Sequence, residues 1–239
     1  MQAINMRKQS GFTLVEIAIV LVIIGLLLGG VLKGQELINS AKIKNLVNDM
    51  NGISAAVYGY QDRFRALPGD DSNATTRWAA STAALPAATV GNATLQGAFN
   101  STTATDESRV FWQQLRFAGF IAGDTASTAQ PLNAVGGIMG VQWGAAGQVV
   151  GAAGQGLAGL VVCHTNILGR IAESLDNQLD DGRPAAGAVR SWTQAALVGA
   201  DGLTTGVNLT VTPLANTVAP AATYVDDGNT MYTVCKTVI

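Results

Sequence analysis

The sequence predicts an α+β fold, with one long N-terminal helix followed by a domain of short strands and short helices. Three observations carry this. From Phe12 to Leu32 the only charged residue is Glu16, so the chain opens on a segment that is apolar all round. Beyond it, Ile43, Leu46, Met50, Ile53, Val57, Tyr60 and Phe64 recur at alternating spacings of three and four, which continues the helix with a single apolar stripe. After Pro68-Gly69 the chain changes to short apolar runs between glycine-rich turns, the pattern of strands.

The apolar run is about 21 residues, or ~31 Å as a helix, which matches the hydrocarbon thickness of a bilayer. Arg7 and Lys8 precede it. Basic residues ahead of a first span favour a cytoplasmic N-terminus, so the rest of the chain is expected across the membrane. No small-residue cleavage site follows Leu32; the next residues are Lys33, Gly34, Gln35 and Glu36, and the span is expected to be retained. A carboxylate inside a span costs about 2.5–3.5 kcal/mol and calls for a positive partner. A cut after Gly11 would expose the α-amino group of Phe12 about one helical turn from Glu16, on the same helix or on the next copy in a stack. The plainer reading of Glu16 is a charge tolerated near the interface.

Gly11-Phe12-Thr13-Leu14-Val15-Glu16, behind a short basic leader, resembles the class III signal of type IV prepilins and pseudopilins. The resemblance implies cleavage between Gly11 and Phe12 by a membrane peptidase, which also methylates the amino group of Phe12. It implies that Glu16 guides each subunit into a growing filament. It divides the chain into a leader (1–11), a transmembrane and assembly helix (12–34), an amphipathic continuation (35–65) and a globular periplasmic or extracellular domain (66–239). The implied fold is pilin-like, with the long helix packed on an antiparallel sheet and a disulfide-bounded C-terminal region. The short leader and Phe12 match the a-type pilins, whereas the long enclosed segment is similar to the b-type. Many pilins carry a helix-breaking proline where Lys33 stands here. Gly25, Gly29, Gly30 and Gly34 give two small-xxx-small spacings on which helices can approach closely.

The continuous helix is expected over 13–64, packed on its own domain in preference to a homomeric coiled coil. Pro68 disfavours helical geometry at Leu67 and, with Gly69, marks a turn. Residues 72–108 read as a surface loop with one short helix near 72–80. Residues 106–121 read as a second helix, with Phe111 and Trp112 as packing anchors. Its Phe-Trp-x-x-Leu-x-x-Ala-Gly arrangement, like the Leu-Pro-Gly-Asp turn, resembles larger prepilin-like proteins. Strands are expected over 138–143, 148–150, 157–163, 188–193, 206–212, 223–225 and 230–235, and a third helix over 167–179. The glycine-rich stretch ends on no Gly-Lys-Ser/Thr, which rejects a phosphate loop.

The chain has 239 residues, 48% hydrophobic and 13% charged, with net charge −2. About 200 residues follow the span, enough for one domain with its own core. The near-neutral balance gives no electrostatic footprint for nucleic acid. Cys163 and Cys235 are the two cysteines, and on the oxidising side of a membrane they are expected to pair; two buried thiols are the other reading. His164 is the single histidine and there is no Cys-x-x-Cys, so neither a zinc site nor a catalytic triad is expected. Asp176, Asp180 and Asp181 are candidates for holding Ca²⁺, although they lack the EF-hand spacing; a solvated helix end is the plainer reading. No enzyme activity and no cofactor is expected.

The chain therefore reads as a structural subunit of a type IV pilus or pilus-like filament. It would be anchored by one span in the inner membrane and later assembled into an extracellular filament. The partners implied are other pilins, prepilin peptidase/methyltransferase, the assembly platform of a pilus or secretion system, and inner-membrane lipid. The alternatives are a pseudopilin of a type II secretion system and, more remotely, a monomeric membrane-anchored binding domain.

Overall fold

The computed structural model describes residues 14–78, 90–144, 156–194 and 220–239. The chain divides into two units at Ala41 and Lys42. Helix α1 (Leu14–Phe64) forms the described part of the first unit and opens the second. Its start and end agree with the predicted 13–64, apart from Thr13, which lies outside the described residues.

In the first unit every large apolar side chain from Leu14 to Ile38 is exposed. This stretch is long and apolar enough to cross a membrane. A Cβ added at Gly25, Gly29, Gly30 or Gly34 would meet open space, so none of the described residues packs on the small-residue faces. Lys33 donates to Glu36 at 2.7 Å on the exposed surface, one turn apart.

In the second unit the predicted stripe turns inward. Ile43, Leu46, Met50, Ile53, Val57 and Tyr60 are buried, with Phe64 packed against them, while Lys44, Asn48 and Asp62 face out. Each such buried apolar side chain contributes about 1.5–3 kcal/mol. The helix stops where Arg65 takes a left-handed φ of 56° and Gly69 follows at 92°. At Gly69 the freedom of glycine is required twice, because an added Cβ would also meet the Glu107 carbonyl at 2.6 Å. The Gly69 N–H donates to the Gln114 side chain at 2.6 Å, fixing the turn on the next helix.

Short helix α2 (Ala74–Arg77) and helix α3 (Glu107–Phe117) follow. The second is shorter than the predicted 106–121. Asp106 is extended at its N-cap, and beyond Ala118 the chain leaves the helix at Gly119, with φ 78°. Phe111 and Trp112 are buried, as anchors should be. The stretch read as a surface loop over 72–108 is more integrated than expected. Leu95, Ala98 and Phe99 are buried. The Asp70 carboxylate reaches across about twenty residues of sequence to accept N–H groups from Gly91, Asn92 and Ala93 at 2.5, 3.2 and 2.6 Å.

Strands β1 (Met139–Gly144) and β2 (Gly159–Leu168), helix α4 (Gly169–Leu179), and strands β3 (Val189–Thr193) and β4 (Met231–Thr237) complete the unit. Every strand pair is antiparallel and the order is β1-β2-β4-β3. Two predictions are corrected. The helix expected over 167–179 starts at Gly169, because Ile167 and Leu168 pair with Tyr232 and Met231 of β4 and stay in the ladder. Residues 223–225 form no strand; the Val225 N–H donates to the Tyr232 hydroxyl at 2.8 Å and not to a ladder partner. The strands expected over 148–150 and 206–212 lie outside the described residues.

The sheet is buried on both faces. Val141, Leu160, Val162 and Val234 join the α1 stripe in the main core. Val161, Cys163 and Cys235 pack on the other side with Phe99, Leu157 and Trp192. Gly140 lets the sheet approach the Phe99 backbone, since an added Cβ would overlap the Phe99 carbonyl.

Candidate functional site

Gly11 and Phe12 lie outside the described residues. Glu16 stands in the first turn of α1 on an exposed surface. A carboxylate in the first turn suits the positive end of the helix dipole. Around it Leu14, Val15, Ile17 and Ile19 are all exposed. The arrangement is a fully apolar helical surface carrying one acidic group near its start. Chemically such a surface can dissolve in lipid or pack against other apolar helices.

At the other end of the sequence, Cys163 and Cys235 form a disulfide. They are direct partners across β2 and β4, with Cα atoms 4.0 Å apart. Both are fully buried, on the face that Trp192 and Phe99 cover. The bond closes a separation of 72 residues that includes α4 and β3.

His164 follows in β2, in register between Met139 and Val234. It is fully buried, and neither ring nitrogen has a hydrogen-bond partner among the described residues. Desolvation in this apolar setting pulls its pKa down to about 3. It is a neutral core residue.

The three candidate calcium ligands do come together: one ligand atom from each of Asp176, Asp180 and Asp181 lies within 4.8 Å of the others. One oxygen of each is engaged in a structural bond, while Asp176 Oδ1 is buried with no hydrogen-bond partner among the described residues. Tyr224 donates its hydroxyl to Asp176 at 2.7 Å, and with that proton committed Ser191 donates to Tyr224, also at 2.7 Å. Asp180 accepts from the backbone of Ala188 and Val189 at 2.5 and 3.1 Å, and Asp181 from Arg183 at 2.9 Å. Burial holds the Asp176 carboxyl above its ordinary value; the neighbouring Asp181 and Asp180 add to this, and the Tyr224 hydrogen bond opposes it. The cluster fastens the end of α4 to the start of β3.

The sequence reading passed over a polar cavity of about 230 Å³ around Arg109. Its walls come from separate segments near 101, 109, 130, 137, 165 and 194, so no local motif could reveal it.

No curated protein matches the chain. Residues 6–32 match the prokaryotic N-terminal methylation motif, and the match spans the basic leader, Gly11, Phe12, Glu16 and the apolar start of α1. The matched segment is the class III signal of type IV pilins and pseudopilins, carried here at the start of a helix apolar enough to cross a membrane.

Proposed function

We propose that this chain is a structural subunit of a type IV pilus or pilus-like filament. The observation that carries the reading is the methylation motif over residues 6–32, whose stretch from Phe12 to Leu32 is apolar on all sides and charged only at Glu16. Prepilin peptidase cuts between Gly11 and Phe12 and methylates the new amino group. The subunit then waits in the inner membrane as a single span, N-terminus in the cytoplasm and globular domain outside. During assembly α1 leaves lipid for a bundle of like helices. Contacts between helices replace contacts with acyl chains, and the Glu16 carboxylate pairs with a Phe12 amine to set the axial register. In a low-dielectric environment such a pair is far stronger than in water, and an unmatched carboxylate is correspondingly costly. The function is mechanical, and no residue is assigned to catalysis.

Mass spectrometry of the exported protein tests this. The expected chain begins at N-methylated Phe12; an intact leader on the working protein overturns the reading. Deletion of the gene separates the two filament types. Loss of surface filaments assigns a pilus, and loss of exoprotein secretion with filaments retained reassigns the chain to a secretion pseudopilus. Glu16→Ala is expected to abolish assembly while leaving membrane insertion intact. Full function without Glu16 would instead indicate a membrane-anchored monomer.

A further inference from the structure

The cavity beside α3 is built of polar groups held in place. Ser101, Gln130, Thr165, Asn166 and Gln194 contribute to its walls, with Ile138 the one large apolar side chain among the lining residues. Among the described residues that line it, Arg109 is the one charged side chain and none is a carboxylate. The guanidinium is anchored: Nε donates to the Thr128 carbonyl at 2.8 Å and Nη1 to the Ser101 carbonyl at 3.0 Å. A guanidinium has five N–H donors, so three remain beyond these two bonds. The nearby Asp106 carboxylate is bonded by the Ser101 hydroxyl, and no salt bridge to Arg109 forms among the described residues. Gln130 is pinned through Nε2 to the carbonyls of Phe99 and Ser101 at 3.2 and 2.9 Å. Asn166 is set at a left-handed φ of 65° within the irregular stretch of β2 and donates to Val135 at 3.3 Å. Gln194 keeps Oε1 buried without a hydrogen bond.

We propose that this cavity binds one acidic monosaccharide unit, its carboxylate on Arg109 and its hydroxyls on the surrounding amides and hydroxyls. A planar guanidinium with spare donors matches a carboxylate in bidentate geometry. The neutral amides and hydroxyls offer both donors and acceptors, which a polyol ring uses and a simple anion does not. A peptide C-terminus would need an apolar slot for its last side chain, and Ile138 alone does not make one. The volume of about 230 Å³ is below the ~300–1,000 Å³ of drug-sized sites, so it admits one ring and not an oligomer. The site lies wholly within the second unit and does not depend on filament assembly.

The full chain in detergent micelles, titrated with glucuronate, glucose and acetate and followed by saturation-transfer NMR on each ligand, tests the proposal. Glucuronate is expected to bind saturably, with glucose and acetate each at least about tenfold weaker, the effect of losing one charge-assisted contact or the polyol contacts. Arg109→Gln is expected to weaken glucuronate by about tenfold or more. Arg109 also ties two loops, so Gln194→Ala serves as the second variant, with weaker glucuronate binding and an unchanged near-ultraviolet CD spectrum expected. Glucuronate and glucose binding alike, absence of saturation in a chain with native CD, or undiminished binding by a folded variant would each overturn the assignment. Because the assay needs no filaments, failed polymerisation in cells leaves its result unaffected.

Discussion

The Tyr60 hydroxyl donates to the Asp71 carboxylate at 2.7 Å, joining the last turns of α1 to the turn that terminates it. Both residues are buried. Asp71 also accepts the Asn73 N–H at 2.9 Å and pairs with Arg77. Arg77 in turn lies over the Phe64 ring, 4.6 Å from its centroid, and Trp78 stacks on Phe117 at 5.6 Å. One carboxylate thus gathers α1, α2 and α3 around a single aromatic cluster.

Tyr60→Phe should remove one donor from a buried carboxylate and little else. The expected loss is about 1.5–3 kcal/mol, the range for hydrogen bonds to charged groups, read as a lower urea midpoint with unchanged m-value. No change in midpoint would mean that Asn73 and Arg77 satisfy Asp71 without the hydroxyl.

Asp70→Asn is expected to act locally. The amide keeps one acceptor oxygen where Gly91, Asn92 and Ala93 present three N–H groups, and it points N–H at N–H. A loss of about 1–3 kcal/mol is expected, with faster hydrogen exchange at 91–93 than elsewhere in the domain.

Reducing the Cys163–Cys235 bond, or replacing both residues with alanine, should cost up to about 4 kcal/mol by the chain-entropy estimate for a loop of this size. The β2–β4 ladder survives, because its hydrogen bonds do not depend on sulfur. Far-ultraviolet CD should therefore persist while the thermal midpoint falls.

His164 should make the domain acid-sensitive. Its folded pKa of about 3 lies below the unfolded value of about 6.5, so between these values the unfolded chain binds a proton that the folded chain refuses. The stability is complete above about pH 6.5 and is lost as pH falls through the window, by at most ~1.4 kcal/mol per unit. His164→Leu should lose less stability than the wild type on moving from about pH 7.5 to about pH 5. Equal losses in both chains would sink this account.

Leu46→Ala should cost about 2–5 kcal/mol in the second unit, because Leu46 is fully buried in the main core. Leu27→Ala, on the exposed part of α1, should leave the unfolding midpoint of that unit unchanged. Together they check that the same helix is core in one unit and bare in the other.

The sequence by itself determined the long helix, its change from all-round apolar to one-sided, its stop near Pro68, and the pairing of its two cysteines. Each of these rests on local information: a period of 3.6, a fixed proline φ, a count of two. It also held the methylation motif, which is contiguous over residues 6–32. What tertiary structure alone decided was partnership at long range. Ile167 and Leu168 became strand and not helix because β4 was there to pair with them. The second core around Phe99 and Trp192 could not be foreseen, since an apolar run buried on both faces carries no alternation to say which side each residue takes. The Asp70 clamp and the walls around Arg109 likewise join residues tens of positions apart. Hydrogen bonds of that kind exist only once the chain has closed, and no spacing in the sequence encodes them.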